Sequence, residues 1–507
     1  MSREGILVKP YERISQEEIE QIHHASARIL SDPGIICYNR EAADIFGANG
    51  AEVIPSGLNW WLLRIPEKLV LTAIEAAPKL VKLAARNDEN SLTLDGHEPR
   101  LHFASGSEAN IWLDVDFSTY VNKSHPEIEV QLPTFQPRRG MLNDLCQAAH
   151  LCEHLDNLDG FIRPVNIQDG DITEENKDVN KFFASLNNTT KHVMSGLTDL
   201  SQLDSVIRMA EIVAGGRLED NPIISFITCA VKSPLQLVDD TTQKLIEIAR
   251  RGIPLVMSSS PQGGSTAPIT EDGMVAQINA EILCGVALTQ LVRKGTPVLY
   301  GSVPTRARMD DLNESYGAAE FNQYNVDCVQ MARFYGLPCY STAGVADTKV
   351  PGIQASVEKM FSHILVSLSG PHYLHYAFGL LERTNTFCPI QAVLDDAHIE
   401  MVKSFLREPN IGPREVSSSL EQVKQVMNST HKLYVRYVRP KLHAGEITPP
   451  YPFESSDMSD EVLLKASRRL AELLSLPVEH LSKDTTKKIY NDIPGLLRRL
   501  NIHDQEK

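Results

Sequence analysis

Five ring-bearing residues, His372, Tyr373, His375, Tyr376 and Phe378, crowd the run Gly370-Pro-His-Tyr-Leu-His-Tyr-Ala-Phe-Gly379. If the run is a strand, alternation puts His372, Leu374, Tyr376 and Phe378 on one face and Tyr373 and His375 on the other. Three roles are open to these rings. The histidines could ligate a metal, which needs further His, Asp or Glu from other strands. They could be satisfied core residues. With the tyrosines and Phe378 they could line a pocket for an apolar or cationic ligand, and the clustering of Tyr and Phe favours this third role. Tyr340, inside Leu337-Pro-Cys-Tyr-Ser-Thr342, is a further ring of the same kind. Arg306 and Arg308 follow the run Pro297-Val-Leu-Tyr-Gly301. A guanidinium there could clamp a carboxylate through two hydrogen bonds, or it could pair with Asp310 and Asp311. Gly263-Gly-Ser-Thr266 could cradle an anion on backbone amides, although any tight strand-to-helix loop also uses glycine.

Residues so scattered act together only if a scaffold returns them to one edge. From about 135 to 410, short β-rich runs alternate with helix-length segments. The candidate strands are Gly160–Arg163, His192–Ser195, Ile223–Ile227, Pro254–Met257, Pro297–Tyr300, Pro338–Tyr340 and His372–His375. Helical patterns lie between them, over Val179–Ser185, Ser201–Ala214, Leu235–Arg251, Val275–Val292, Ala318–Tyr335 and Val357–Ser369. Seven such units plus one strand without a clear signal predict an α/β fold, a TIM (β/α)8 barrel with its chemistry where the strands end. No GxGxxG opens any of these helices, which disfavours a dinucleotide-binding sheet. Residues 1–125 predict an N-terminal α+β extension, with helices over Ser15–Leu30 and Glu67–Ala76. Its β structure runs from Leu92 to Asp116 around a bend at Ala104–Ser107, and Phe103 could serve as a lid from this side. The barrel is expected over 126–410. Residues 411–507 predict a helical region with a stiff linker, Thr448-Pro-Pro-Tyr-Pro-Phe453, before an amphipathic helix at Leu463–Leu474. That region is expected to pack on the barrel or on a neighbouring subunit, so a homo-oligomer is expected.

The charge of −16, from 65 acidic against 49 basic residues, excludes a phosphate-backbone binder; no nucleic acid is expected as a partner. No apolar run of spanning length or signal-peptide core stands out, so the expectation is a cytoplasmic protein with no membrane contact. Eight scattered cysteines without a CxxC predict neither a zinc ribbon nor a disulfide framework. No metal site is expected.

Several motifs in order resemble the trimethylamine methyltransferase superfamily. They are Thr266-Ala-Pro-Ile-Thr270, Asn279-Ala-Glu281, Gly295-Thr-Pro-Val-Leu-Tyr-Gly301, Ala343-Gly-Val-Ala-Asp-Thr-Lys-Val-Pro351 with Gln354-Ala355, and Gly379-Leu-Leu-Glu382 with Val393-Leu-Asp-Asp396. The resemblance implies a TIM barrel that moves a methyl group from an amine to the Co(I) of a separate corrinoid protein. Members acting on trimethylamine carry pyrrolysine, expected near Ala346–Pro351 here, where only standard residues stand. That departure resembles the non-pyrrolysine branch, whose members demethylate quaternary amines such as glycine betaine, proline betaine and carnitine. Corrinoid carriers use a DxHxxG run. Here Asp95-Gly-His-Glu-Pro-Arg100 has arginine in place of the glycine, so no tightly bound cofactor is expected and the corrinoid belongs to a partner.

The chemistry fits the departure. A quaternary ammonium needs no proton before it loses a methyl group, because the leaving amine is already neutral. The enzyme then has only to hold the methyl in line with its acceptor, and no catalytic acid or nucleophile is expected. A wall of rings attracts the cation by about 0.5–2 kcal/mol per ring. Tyr340, Tyr373, Tyr376 and Phe378 are the candidate rings, Arg306 or Arg308 the carboxylate clamp, and His372 or His375 hydrogen-bond donors. Glycine betaine, the simplest of the class, is the expected substrate. Alternatives are another betaine, a non-catalytic betaine-binding or regulatory barrel, or a metal-dependent TIM-barrel hydrolase.

Overall fold

The computed structural model describes residues 4–121, 129–447, 450–454 and 461–500. Eight parallel strands carry the fold: β1 (Arg100–Phe103), β2 (Phe161–Ile162), β3 (Val193–Gly196), β4 (Ile224–Thr228), β5 (Leu255–Ser259), β6 (Val298–Ser302), β7 (Cys339–Thr342) and β8 (Tyr373–His375). Each pairs in parallel with the next, β8 pairs with β1, and a bridge between Ala104 and Gly160 closes the ring from β1 to β2. The fold is therefore a (β/α)8 barrel. All seven expected strands are present, and the missing eighth is β1. It lies inside the segment assigned to the N-terminal extension, so the barrel begins before residue 126. The boundary at 125 itself falls among 122–128, outside the described residues, as do Thr448 and Pro449 of the expected linker.

The helices return the chain between strands. They are α1 (Gln16–Ser31), α2 (Arg40–Ala48) and α3 (Glu67–Ala76) before the barrel. Within it come α4 (Leu142–His154), α5 (Glu174–Asn188), α6 (Leu203–Ala214), α7 (Asp239–Arg250), α8 (Glu271–Val292), α9 (Ala319–Phe334), α10 (Ile353–Leu368) and α11 (Pro389–Leu406). One helix follows each barrel strand, α4 after β1 through α11 after β8. The α1 start is dictated locally: Ser15 accepts from the Glu18 amide while the Glu18 carboxylate accepts from the Ser15 amide, the reciprocal cap read from their spacing. Helix α8 is long and apolar enough to cross a membrane, contrary to the expectation of no such stretch. It is buried between the barrel strands and helices α1, α3, α7 and α9, with 89% of its apolar window covered by protein. Burial on all sides explains its apolar character.

The barrel interior is filled by Ile162, Met194, Val256, Leu299, Tyr340 and Tyr373 from β2, β3, β5, β6, β7 and β8. Glycine at 160 is required for this filling, because a Cβ there would collide with the Tyr373 hydroxyl. The hairpin Leu80–Leu83/Leu92–Asp95 turns Val81, Leu83, Leu92 and Leu94 into the same core. It plugs the end where the strands begin, leaving the other end open for a ligand. The rest of the N-terminal region is not a separate unit. Its strands Ile35–Cys37, Glu52–Pro55 and Trp61–Arg64 form one sheet with two short strands from the loop after β4. A long hairpin, Ile111–Val121 with Glu129–Arg139, rises from the loop after β1.

Beyond the barrel, α12 (Pro413–Met427), α13 (Val435–His443), α14 (Val462–Ser475) and α15 (Lys483–Asp492) confirm the helical C-terminal region. Helix α14 packs on α11 and α4, and α15 on α6, so the region wraps the barrel wall. Helices α12 and α13 bury almost nothing: among the described residues Val426 alone is covered, while Leu420 and Val435 are more than half exposed.

Candidate functional site

At the open end of the barrel, a cavity of about 330 Å³ is bounded by residues from all eight strand ends. Strand β1 sends Ser107 and Glu108 from its loop, β2 sends Ile162 and Arg163, and β3 sends Ser195 and Gly196. Ile227, Cys229, Ser258, Ser260 and Val303 come from β4 to β6 and their loops, while β7 and β8 supply Tyr340, His375 and Tyr376. Larger grooves lie on the outer surface, but this one occupies the place where the fold gathers side chains from every unit.

Its aromatic wall is continuous. The His375 ring stacks on Tyr340 with centroids 4.0 Å apart and planes 22° apart, and lies 3.8 Å from the Tyr376 ring. Tyr373 lies beneath, 6.1 Å from Tyr340. Tyr376 takes a left-handed backbone conformation (φ 65°), which costs a bulky residue about 1–3 kcal/mol and ends β8 abruptly. That turn brings its ring beside His375 instead of letting the strand alternate onward. The Thr342 hydroxyl donates to the Ser302 carbonyl, so it accepts from His375 Nε2 at 2.6 Å. The network thus assigns the proton to Nε2 and leaves Nδ1 a buried lone pair with no partner among the described residues. Burial pushes the His375 imidazole well below its ordinary range and the Tyr340 and Tyr376 phenols well above theirs. All three rings are neutral at pH 7, so none repels a cation.

A fixed positive charge, suited to a carboxylate, is supplied by a residue that sequence reasoning passed over. Arg163 follows β2 and is only 3% exposed, yet its Nε and Nη1 have no hydrogen-bond partner among the described residues. Burial pulls its guanidinium down to about 9, against the pull of Asp178, so it stays charged at neutral pH. Behind it lies Lys181, whose Nζ donates to the carbonyl of Gly196 and pairs with Asp178. Burial, with Arg163 nearby, brings that ammonium down to about 7. Asp178 in turn accepts from the amides of Thr198 and Asp199. Arg163 and Lys181 thus share one buried carboxylate. The second carboxylate is Glu108, half exposed, which forms an ion pair with Arg163 from the cavity rim.

Of the residues singled out in the sequence, the fold brings Tyr340, His375 and Tyr376 together at the cavity, with Tyr373 directly below. The others lie elsewhere. His372 precedes β8, so it sits at the plugged end, where its Nδ1 accepts from the Cys339 amide. Phe103 is no lid: it ends β1 fully buried on the helix side, with the Lys403 ammonium of α11 over its ring at 5.4 Å. Phe378 is packed in the outer core. Arg306 lies in the strand Thr305–Ala307, 3.9 Å from Glu320, and Arg308 pairs with Asp310 and Asp311, both outside the cavity lining. The Gly263–Thr266 amides are consumed internally: those of Ser265, Thr266 and Ala267 donate to the Gln262 carbonyl and that of Gly264 to Ala267, so they hold a turn and no anion. Ala346–Pro351 forms the loop after β7, tied by Asp347 to Ser315, Tyr316 and Gly317 and by Lys349 to Glu382. The sequence carries the signal for Arg163, because Gly160-Phe-Ile-Arg163 is a strand pattern that ends in an arginine, much as Arg306 follows the strand pattern Pro297–Gly301.

Residues 5–436 match the family model described as trimethylamine methyltransferase (MTTB). The chain belongs to this family. It is 32% identical to the trimethylamine methyltransferase MttB of Desulfitobacterium hafniense over 77% of this chain and 74% of that one. It is 29% identical to the MttB of Methanosarcina thermophila over 84% of each. A glycine betaine methyltransferase of Desulfitobacterium hafniense is 24% identical over 88% of this chain and 87% of that one. A remoter likeness is the crystal structure of the hydroxylamine MtmB complex, with 11% identity and a TM-score of 0.46 over 91% of this chain and 88% of that chain.

Proposed function

We propose that the protein transfers a methyl group from a carboxylated quaternary amine, glycine betaine being the simplest, to the Co(I) of a corrinoid carried by a separate protein. Family membership supports methyl transfer from a methylated amine. One observation supports the zwitterionic substrate: a neutral aromatic wall and a buried arginine face the same cavity. A trimethylammonium group against Tyr340, His375 and Tyr376 gains cation–π attraction, and a carboxylate on Arg163 gains charge-assisted hydrogen bonds. As the methyl leaves, the C–N bonding pair stays on nitrogen and the amine becomes neutral, so the attraction of the wall fades. Orientation must then be held by the carboxylate, whose charge does not change.

No residue on the aromatic wall titrates near neutrality, which suits a reaction that needs no proton. The test is formation of methylcobalamin from Co(I)-cobalamin with glycine betaine, proline betaine, carnitine or trimethylamine supplied separately. Turnover with a betaine supports the reading. Turnover with trimethylamine alone refutes it.

A further inference from the structure

We infer that Glu108 is a specificity-determining residue: it occupies the carboxylate clamp of Arg163 in the free protein and is displaced by the carboxylate of the ligand. This rests on the reading of the cavity as a betaine site.

Arg163 is buried and positively charged, and the one buried carboxylate near it among the described residues, Asp178, is shared with Lys181. A buried charge without a counter-charge is costly, so Arg163 demands an anion whether or not ligand is present. Asp178 cannot serve alone, because its oxygens already accept from Lys181, Thr198 and Asp199. Glu108 supplies the anion, and its position suits a temporary role. It stands in the loop after β1, its side chain is 50% exposed against 2% for Arg163, and it can return to water at little cost. The contact is made through Nη2 alone, leaving Nε and Nη1 without partners. A guanidinium binds a carboxylate best through two parallel hydrogen bonds, and either two-nitrogen edge with an unpartnered member includes Nη2. Nη2 carries one hydrogen toward each edge. A ligand carboxylate on the edge that Glu108 holds must therefore displace it, and one on the other edge meets the like charge of Glu108 close by. A cation without a carboxylate cannot compete for Arg163 and leaves the pair in place. The pair therefore lowers affinity for every carboxylate by the fraction of time the clamp is occupied, and only a carboxylate that also places an ammonium on the aromatic wall regains the loss.

The experiment is calorimetric titration of the full chain, as wild type and as Glu108→Gln, with glycine betaine, acetate and choline. Acetate probes the clamp alone and choline the aromatic wall alone. The expected result is about tenfold tighter binding of glycine betaine and acetate to the variant, with choline changed by no more than about twofold. Equal affinities for both carboxylates in the two proteins would overturn the inference, as would acetate binding to neither. So would weaker binding of glycine betaine and choline alike, which would make Glu108 the partner of the ammonium. Failure of the broader reading looks different: acetate binding tightens in the variant, yet no quaternary amine yields methylcobalamin.

Discussion

Replacing Arg163 by glutamine separates the two halves of the proposed site. Glutamine keeps two polar atoms and much of the length but loses the charge. On the protein side nothing is stranded: Asp178 retains Lys181 and two amides, and Glu108 is half exposed. Folding stability should hold or rise, because a buried cation with two unpartnered nitrogens is removed. On the ligand side a carboxylate loses its clamp. Removing one member of a buried, hydrogen-bonded charge pair costs about 2–5 kcal/mol, and the open mouth of the cavity puts this case near the lower end. A loss of about 2–3 kcal/mol is about 30- to 150-fold in affinity. The assay pairs methyl transfer to Co(I)-cobalamin with binding of choline, which shares the trimethylammonium but lacks the carboxylate. KM for glycine betaine should rise by that factor while choline binding stays within about twofold. An unchanged KM, or equal losses for both ligands at unaltered melting temperature, would refute the assignment of Arg163.

Tyr340→Leu and Tyr376→Leu each remove one ring from the wall, so choline and glycine betaine should both weaken by about 2- to 30-fold, read by calorimetry. Arg306→Ala and Arg308→Ala should leave KM for glycine betaine within about twofold, because both residues lie outside the cavity lining. Acid should destabilise the fold in a defined window. Burial holds His192 and His372 at about 4, and His363 and His375 well below 6.5, so the unfolded chain takes up protons first as pH falls below 6.5. Each such group removes about 1.4 kcal/mol per pH unit until its folded pKa is reached. Asp327 and Asp396, raised by burial to about 6, act in the opposite sense below that value, but two carboxyls offset only part of four imidazoles. Melting temperature should drop between pH 6.5 and 5, and a flat or rising profile would contradict these burial assignments.

The sequence made the scaffold legible because a buried parallel strand leaves a strong mark: a short β-branched run, a polar end, then a helix of constant apolar face. Strand β1 lacked that mark. Arg100-Leu-His-Phe103 carries an arginine and a histidine, and no helix follows until a long hairpin has intervened. The aromatic wall was half legible. Tyr376 could be named as a ring near a strand end, but simple alternation put it on the face of His372 and Phe378, and only the left-handed turn at Tyr376 breaks that pattern. Arg163 and Glu108 lie 55 residues apart on neighbouring strand ends, and pairing across a closed barrel leaves no periodic trace. Arg306 and Arg308 were chosen by the same rule that suits Arg163. They differ in what surrounds them: Arg308 has Asp310 and Asp311 in its own loop, whereas Arg163 is walled in by α5.

A crystal structure with bound glycine betaine shows whether ammonium and carboxylate are held at once in this cavity. The trimethylammonium should lie within about 6 Å of the Tyr340 and Tyr376 ring centroids, with the carboxylate on Arg163 and Glu108 turned to solvent. Ligand bound outside the cavity, or inside it with its carboxylate away from Arg163, would refute this binding mode.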